Sequence, residues 1–434
     1  MDNDKIVIFW FRRDLRLFDN KGLYIALKSG YKVLPVFIFD EKIIKTLDND
    51  DARISMIHSA LGSINDAMEK NRCNVGMYLG NPKAVFLEIL KKHSVYKVFV
   101  NRDYEPYATQ RDQEIRKLLN SKGIEFETHK DQVIYEKSEI VKDDGSPYVV
   151  YTPYFKKWFL KFQSEGISNY PSENYLHNLI KLSLPILKLS DLGFKESNLS
   201  WPKINLSQEV IKKYEETRNF PFTDMTSKIG PHLRFGTRSI RAIVLEASNN
   251  KNNTFLKELV WREFFMQILW HFPHTQKKCF KSKYEKIQWL NDPSDFIKWS
   301  EGKTGFPLVD AGMRQLNKTG FMHNRVRMLV GSFLCKHLLI DWRKGEAYFA
   351  KKLLDYEMSS NVGNWQWVAG CGVDAAPYFR IFNPHEQLKK FDNEKNYIKK
   401  WISEYNSVSY PSPIVDHKYA RERCLNTYKQ ALNS

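Results

Sequence analysis

The chain has 434 residues, enough for two domains that each bury a core, and it has no apolar run long enough to cross a bilayer. Lys and Arg number 67 against 50 Asp and Glu, a formal charge of +17 that suits a polyanionic partner such as nucleic acid. Five scattered cysteines (Cys73, Cys279, Cys335, Cys371, Cys424) with no C-x-x-C pair read as reduced thiols rather than disulfides or a zinc site. The opening "MDNDKIVIFW" lacks the basic start and apolar run of a signal peptide, so the expectation is a soluble, cytoplasmic protein.

Residues 1–135 alternate between two patterns. Short β-rich runs occur at Ile6–Phe11, Val33–Phe39, Val75–Leu79, Val98–Asn101 and around Phe126–Tyr135, with helical patterns at Arg53–Glu69, Pro82–Lys92 and Ala108–Leu119. This alternation predicts an α/β domain on a parallel, Rossmann-like sheet. No G-x-G-x-x-G follows the first strand; "WFRRDLRLFDN" stands there, which argues against a nicotinamide site at that turn. Arg12, Arg13, Asp14 and Arg16 could cradle an anion, but residue physics favours a salt-bridge knot. Residues 136–205 show no sustained period and read as a long connecting segment.

Residues 206–434 read as helical almost throughout. In "HNRVRMLVGSFLCKHLLI" the stripe Val326, Leu329, Val330, Phe333, Leu334 and Leu338 predicts a buried face. Asn324, Arg327 and Met328 share the complementary face, with Arg325 beside them; Glu258, Trp261 and Arg262 share a face of an earlier helix. Each face mixes a large soft side chain with hydrogen-bonding groups, which suggests the wall of a cavity. The stretch "NVGNWQWVAGCGVDAAPYFRIFNP" from Asn361 to Pro384 sets Trp365 and Trp367 after a glycine-bearing break at Val362-Gly363-Asn364. On a helix, residues two apart lie about 200° from each other, so the two indoles should meet different surroundings.

Together, "WFRRDLRLFDN", "TSKIGPHLRFGT", "ELVWREFF", "GKTGFPLVDAGMRQLNKTGFMHNRVRM", "LLIDWRKGEAYF" and "NWQWVAGCGVDAAPYFRIFNP" resemble the DNA photolyase and cryptochrome family over essentially the whole chain. The likeness is strongest to class I cyclobutane pyrimidine dimer photolyases. It implies an all-α domain binding FAD, with cofactor positions at Tyr214, Thr226, Ser227, Lys228, Ile229, Gly230, Arg327, Asp355, Tyr356, Glu357 and Asn361. On residue chemistry alone, "TSKIG" reads as an ordinary helix cap.

The resemblance further implies an electron-transfer chain of Trp365, Trp342 and Trp289, with Trp299 matching a different position. In isolation all of these could be packing residues. A lesion pocket would be lined by Glu258, Trp261, Asn324, Arg325, Met328 and Trp367, with Arg218, Arg262 and Arg325 toward flanking phosphates. Light-driven splitting of a flipped-out dimer in UV-damaged DNA, by a monomer with no membrane attachment, is the activity the resemblance implies, photolyases being base-flipping enzymes. Asn324 stands where enzymes acting on 6-4 photoproducts carry a second histidine, which favours cyclobutane dimers. Gly230, Phe321 and Glu357 replace a more usual serine, tryptophan and aspartate.

A second, antenna chromophore stays open: methenyltetrahydrofolate, 8-hydroxy-deazaflavin, or none. The folate-holding pair of one branch aligns with Tyr107 and Ala108, while Arg53 and Asp103 resemble the deazaflavin arrangement. The alternative to a repair enzyme is a cryptochrome-type blue-light photoreceptor. The chain ends near the family's core, after "HKYARERCLNTY", where cryptochromes usually carry an extension, and that favours the enzyme.

Overall fold

The computed structural model describes residues 5–250 and 252–433. The chain divides into two compact units, one of Met1–Glu139, Trp158–Lys203 and Ile229–Asn249, the other of Ile140–Lys157, Ile204–Lys228 and Asn250–Ser434.

The first unit is built on five parallel strands, β1 (Ile6–Phe11), β2 (Lys32–Asp40), β3 (Gly76–Gly80), β4 (Val95–Asn101) and β5 (Glu125–His129), in the order β3-β2-β1-β4-β5. Five of the six β1 residues are buried, as expected when both faces of a parallel sheet are covered by helices. The helices start on side-chain caps: the Asn81 amide oxygen accepts from the Lys83 N–H at 2.9 Å, with Pro82 in the first turn, and Asp51 caps Ala52–Met68 in the same way.

The strand order reverses between β1 and β4, where doubly wound sheets open a crevice at the strand carboxyl ends. Here that crevice is filled by ion pairs. Arg12 donates twice to Asp112, Arg13 donates to Asp103 and Glu105 at 3.2 and 3.1 Å, and Asn101 donates to Asp14 at 2.6 Å. Burial pushes the Asp14 carboxyl up to about 6. For Asp103 burial works upward too, but Arg13 and its fellow arginines outweigh it and hold the carboxyl down. Gly236 (φ +68°) lies so close that a Cβ would stand 2.1 Å from the Arg13 carbonyl oxygen.

The stretch expected to connect the domains is not a free connector. Leu179, Leu184, Leu192 and Phe194 are buried in the α/β core, and Ile180 N–H donates to the Val33 carbonyl at 2.9 Å. β3 pairs with β2 only from Val36 onward, so the segment occupies the edge that the start of β2 leaves open. It buries apolar residues one at a time on an existing surface, and therefore shows no period.

The second unit is helical. The stripe from Val326 to Leu338 is buried throughout, but the Asn324–Ser332 helix widens into a π turn over Phe333–His337, closed by Leu338 N–H on the Phe333 carbonyl at 3.1 Å. The anticipated break at Gly363 is absent: Met358–Ala369 is one continuous helix. Gly363 is there for closeness, since a Cβ would come within 2.2 Å of the Phe265 ring. Among the described residues no helix is long and apolar enough to cross a membrane.

Candidate functional site

The helices Thr254–His271, Asn324–Ser332, Trp342–Lys352 and Met358–Ala369 enclose a cavity of about 390 Å³, within the usual range for small-molecule sites. Its walls include Arg218, Glu258, Trp261, Asn324, Arg327, Met328, Asp355, Tyr356, Asn361, Trp365 and Trp367. Trp365 (3% exposed) and Asn361 (9%) are buried, whereas Trp261 and Trp367 are half-buried and Asn324 is exposed, so the cavity grades from a dry end to a wet one. The two indoles of "NWQW" differ in surroundings as their spacing implies, and both line the cavity.

On the cavity wall, half-buried Arg327 donates to Asp355 through both terminal nitrogens at 3.1 and 2.8 Å, a bidentate pair. Asn361 is fixed by a residue the sequence did not single out: its amide NH2 donates to the Glu346 carbonyl at 3.1 Å and to the Glu346 carboxyl at 2.9 Å. Burial raises the Glu346 pKa. Once the amide nitrogen is held, Asn361 Oδ1 is left as a free acceptor. Trp365 packs edge-on against Phe349 (5.0 Å) and Trp299 (6.2 Å). It fits only because residue 345 is glycine, where a Cβ would stand 2.2 Å from the distal indole carbon and 2.6 Å from Leu334.

At the wet end, Glu258 accepts a hydrogen bond from Arg218, each side chain about a third exposed. Trp261 is stacked on Tyr151 at 3.8 Å and 9°, so one face of the indole is covered by a ring that pattern reasoning had no means to find. The Tyr151 hydroxyl donates to the Lys257 carbonyl at 2.6 Å, which locks the stack to the same helix.

Several expected members stand elsewhere. The guanidinium of Arg262 turns inward onto buried Glu357 at 2.9 Å, so its place is the cavity wall and not a phosphate-facing surface. Arg325 donates to Asn219 at 2.5 and 3.2 Å and lies over Phe391. Tyr214 packs on Phe255 at 5.1 Å. Of the "TSKIG" segment, Ser227 accepts from Asn205 N–H at 3.0 Å and Lys228, at φ +52°, pairs with Asp224. Ile229 and Gly230 belong to the α/β unit; the short helix beginning at Gly230 carries no side-chain cap, so the Ser/Thr cap suggested by residue type is not formed. None of Tyr214, Thr226, Ser227, Lys228 or Arg325 lines the cavity.

Trp342 is fully buried, its indole N–H without a hydrogen-bond partner and Arg343 over its ring at 4.8 Å. Trp289 is half-buried, edge-on to Tyr428 at 6.0 Å. All three expected tryptophans belong to or pack against one core cluster. On the α/β unit, Arg53 forms a bidentate pair with Asp51 and the Tyr107 hydroxyl donates to Asp40 at 2.6 Å.

Comparison with known proteins assigns residues 7–172 to the DNA photolyase family and residues 255–409 to the FAD binding domain of DNA photolyase. The chain belongs to the DNA photolyase family. The deoxyribodipyrimidine photo-lyase of Agrobacterium fabrum is 34% identical over 97% of both chains. A bacterial class III photolyase from Agrobacterium tumefaciens superposes with a TM-score of 0.85 at 33% identity, covering 99% of this chain and 98% of that one. An archaeal photolyase from Sulfolobus tokodaii, solved with two FAD molecules, gives 0.84 at 33% identity over 98% and 99%. Every cavity residue named above except Arg218 lies inside the FAD-binding match.

The cavity fits a flavin on its own chemistry. It offers a buried acceptor at Asn361 and a fixed cation–anion pair at Arg327–Asp355, both on its wall.

Proposed function

We propose that this cavity holds FAD at its dry end and a flipped-out cyclobutane pyrimidine dimer at its wet end, and that the protein is a light-dependent DNA repair enzyme. The observation that carries this is the grading of one cavity, from buried Asn361 and Trp365 to half-buried Trp261 and Trp367 and exposed Asn324. When bound in reduced form and excited by light, FAD supplies the electron that opens the cyclobutane ring and takes it back afterwards.

The chain's own residues do the rest. Asn361 Oδ1, left open because Glu346 takes the amide protons, would serve as the acceptor toward a flavin N–H. Arg327 and Asp355 would hold the flavin by ordering charge beside it, with Tyr356 and Glu357 completing that wall. Tyr214 and the stretch Thr226 to Lys228 would serve the diphosphate arm, where backbone N–H groups suit an anion. Trp365, Trp342 and Trp289 would carry the electron that reduces oxidised flavin.

Trp261 and Trp367 give the extruded dimer apolar walls, and Tyr151 keeps the Trp261 ring upright. Glu258 must release Arg218 to reach a pyrimidine edge; Arg218 is then free for a flanking phosphate, so lesion binding and phosphate clamping happen together. Met328 and Asn324 complete the wet wall, and Arg325 serves the backbone from its place over Phe391. The positive charge of the chain suits DNA, and its five buried free thiols accord with a reducing compartment such as the cytoplasm.

The test is blue-light repair of a thymine-dimer oligonucleotide by the purified, reduced protein, with a dark control. Light-dependent loss of the dimer is expected. Bound, photoreducible FAD without repair would establish the photoreceptor alternative instead.

A further inference from the structure

The α/β unit has a cavity of its own, of about 460 Å³, that the reading of the helical unit does not use. It lies where the strands begin: Val7 is the second residue of β1, Tyr96 and Lys97 open β4, and Tyr31 immediately precedes β2. It is therefore not the crevice at the strand carboxyl ends, where Tyr107 bonds Asp40 at the end of β2. The cavity forms because the helix packed on this face, Lys21–Leu27, is short. Seven residues make a helix of about 10 Å. The seven residues of β4 extend about 23 Å, so part of the face is left without a helix over it.

The exposed strip is aromatic at its base and charged at its edges. Phe99 (2% exposed) and Val7 form the floor. Tyr31 and Tyr96 stand together with centroids 4.8 Å apart at 32°, and Tyr96 is 44% exposed, a large ring kept half in water. Tyr24 is held edge-on by Tyr170 and Tyr175, at 5.8 and 5.5 Å, and its hydroxyl accepts from Lys28 at 3.1 Å. Residues two apart on a strand share a face, so Lys97 and Phe99 of β4 lie beside Glu125 and Glu127 of β5. Lys97 is neutralised there, 2.9 Å from each glutamate. Lys28 is not: among the described residues it has a neutral hydroxyl and aromatic rings around it, and no carboxylate.

We propose that this cavity is a binding site for a purine nucleoside monophosphate. The flat base lies on Phe99 against the Tyr31–Tyr96 pair, as bases do on aromatic platforms. Glu127 is half-buried and spends one oxygen on Lys97 and one on His129, yet each carboxylate oxygen keeps a second lone pair for an amino group of the base. The phosphate meets Lys28, whose charge nothing else in the cavity balances. The site is separate from the flavin cavity, and its occupation does not depend on the flavin reading.

The test is calorimetric titration of the full-length, FAD-loaded protein, so that the cavity of the helical unit is already filled. The titrants are adenosine 5′-monophosphate and guanosine 5′-monophosphate, with adenosine and inorganic phosphate as half-ligands. One monophosphate per chain should bind, and each half-ligand more weakly. Tyr96→Ala and Lys28→Ala, both at exposed positions, should each weaken binding roughly tenfold while leaving the thermal midpoint and flavin content unchanged. Lys28→Arg, which keeps the cation, should restore it. No binding of either monophosphate at millimolar concentration would overturn the proposal. So would an affinity that both alanine substitutions leave unchanged, or inorganic phosphate binding as tightly as the nucleotides.

Discussion

Gly345→Ala is the most demanding test of how the cavity is built. Residue 345 lies inside the helix Trp342–Lys352, where replacing glycine by alanine ordinarily stabilises by about 1 kcal/mol. Here the new methyl would stand 2.2 and 2.4 Å from two carbons of the Trp365 ring and 2.6 Å from a Leu334 methyl, all inside van der Waals contact. Both neighbours are buried and cannot swing into solvent. Overpacking of this kind costs roughly 1–3 kcal/mol, enough to cancel or reverse the helix gain. Relief would come from pushing Trp365 toward the cavity, so FAD affinity and photoreduction should fall together. Chemical denaturation of wild type, Gly345→Ala, Trp365→Phe and the double mutant would measure the coupling. Phenylalanine withdraws the clashing atoms, so the two substitutions should couple favourably by about 1 kcal/mol or more. Additive effects, or a stabilised Gly345→Ala with unchanged photoreduction, would refute the account.

Glu258→Ala should lower the yield of dimer repair more than it lowers FAD binding, read by repair assay and flavin titration; equal loss of both would place Glu258 in the wrong part of the cavity. Trp342→Phe should slow flavin photoreduction while leaving repair by chemically pre-reduced protein intact, and unchanged photoreduction would remove Trp342 from electron supply. Acid stability should report His323, which caps the Asn324–Ser332 helix by accepting the Arg325 N–H on Nδ1. Burial, aided by Arg327 and Arg325, pushes its pKa down to about 4, so the folded protein keeps it neutral while the unfolded chain takes up a proton below about 6.5. Its contribution is therefore complete above pH 6.5 and is lost progressively as the pH falls toward 4, by up to about 3 kcal/mol. His323→Asn, which can still cap, should flatten the pH dependence of unfolding over that window; an unaltered slope would contradict the assignment.

Much of this was legible in the residues. The central strands β1 and β2 appear as apolar runs because both faces of a parallel sheet are covered there, and the buried stripe from Val326 to Leu338 appears at helical spacing because burial is local to one face. The ion-pair knot after β1 was readable from residue type alone, since four charges within five residues at a strand end must find partners. Cavity faces such as Glu258, Trp261 and Asn324, Arg327, Met328 follow from helix geometry, which places residues three and four apart side by side.

Other features depend on contacts between residues far apart in the chain, and no local period encodes those. The attachment of 158–203 to the sheet edge comes from single residues dropping into an existing surface. Tyr151 reaches Trp261 across 110 positions, and Glu346 orients Asn361 from a neighbouring helix. Arg262 chose Glu357 over the surface because a buried carboxylate demands a cation, which a helical wheel does not reveal. The contact of Trp299 with Trp365 arises only once Gly345 and Gly331 let their helices close around that ring. Sequence determined which residues carry the chemistry and which faces they share; tertiary packing decided which of them touch, because close contact depends on backbone approach and on the absence of atoms elsewhere in the chain.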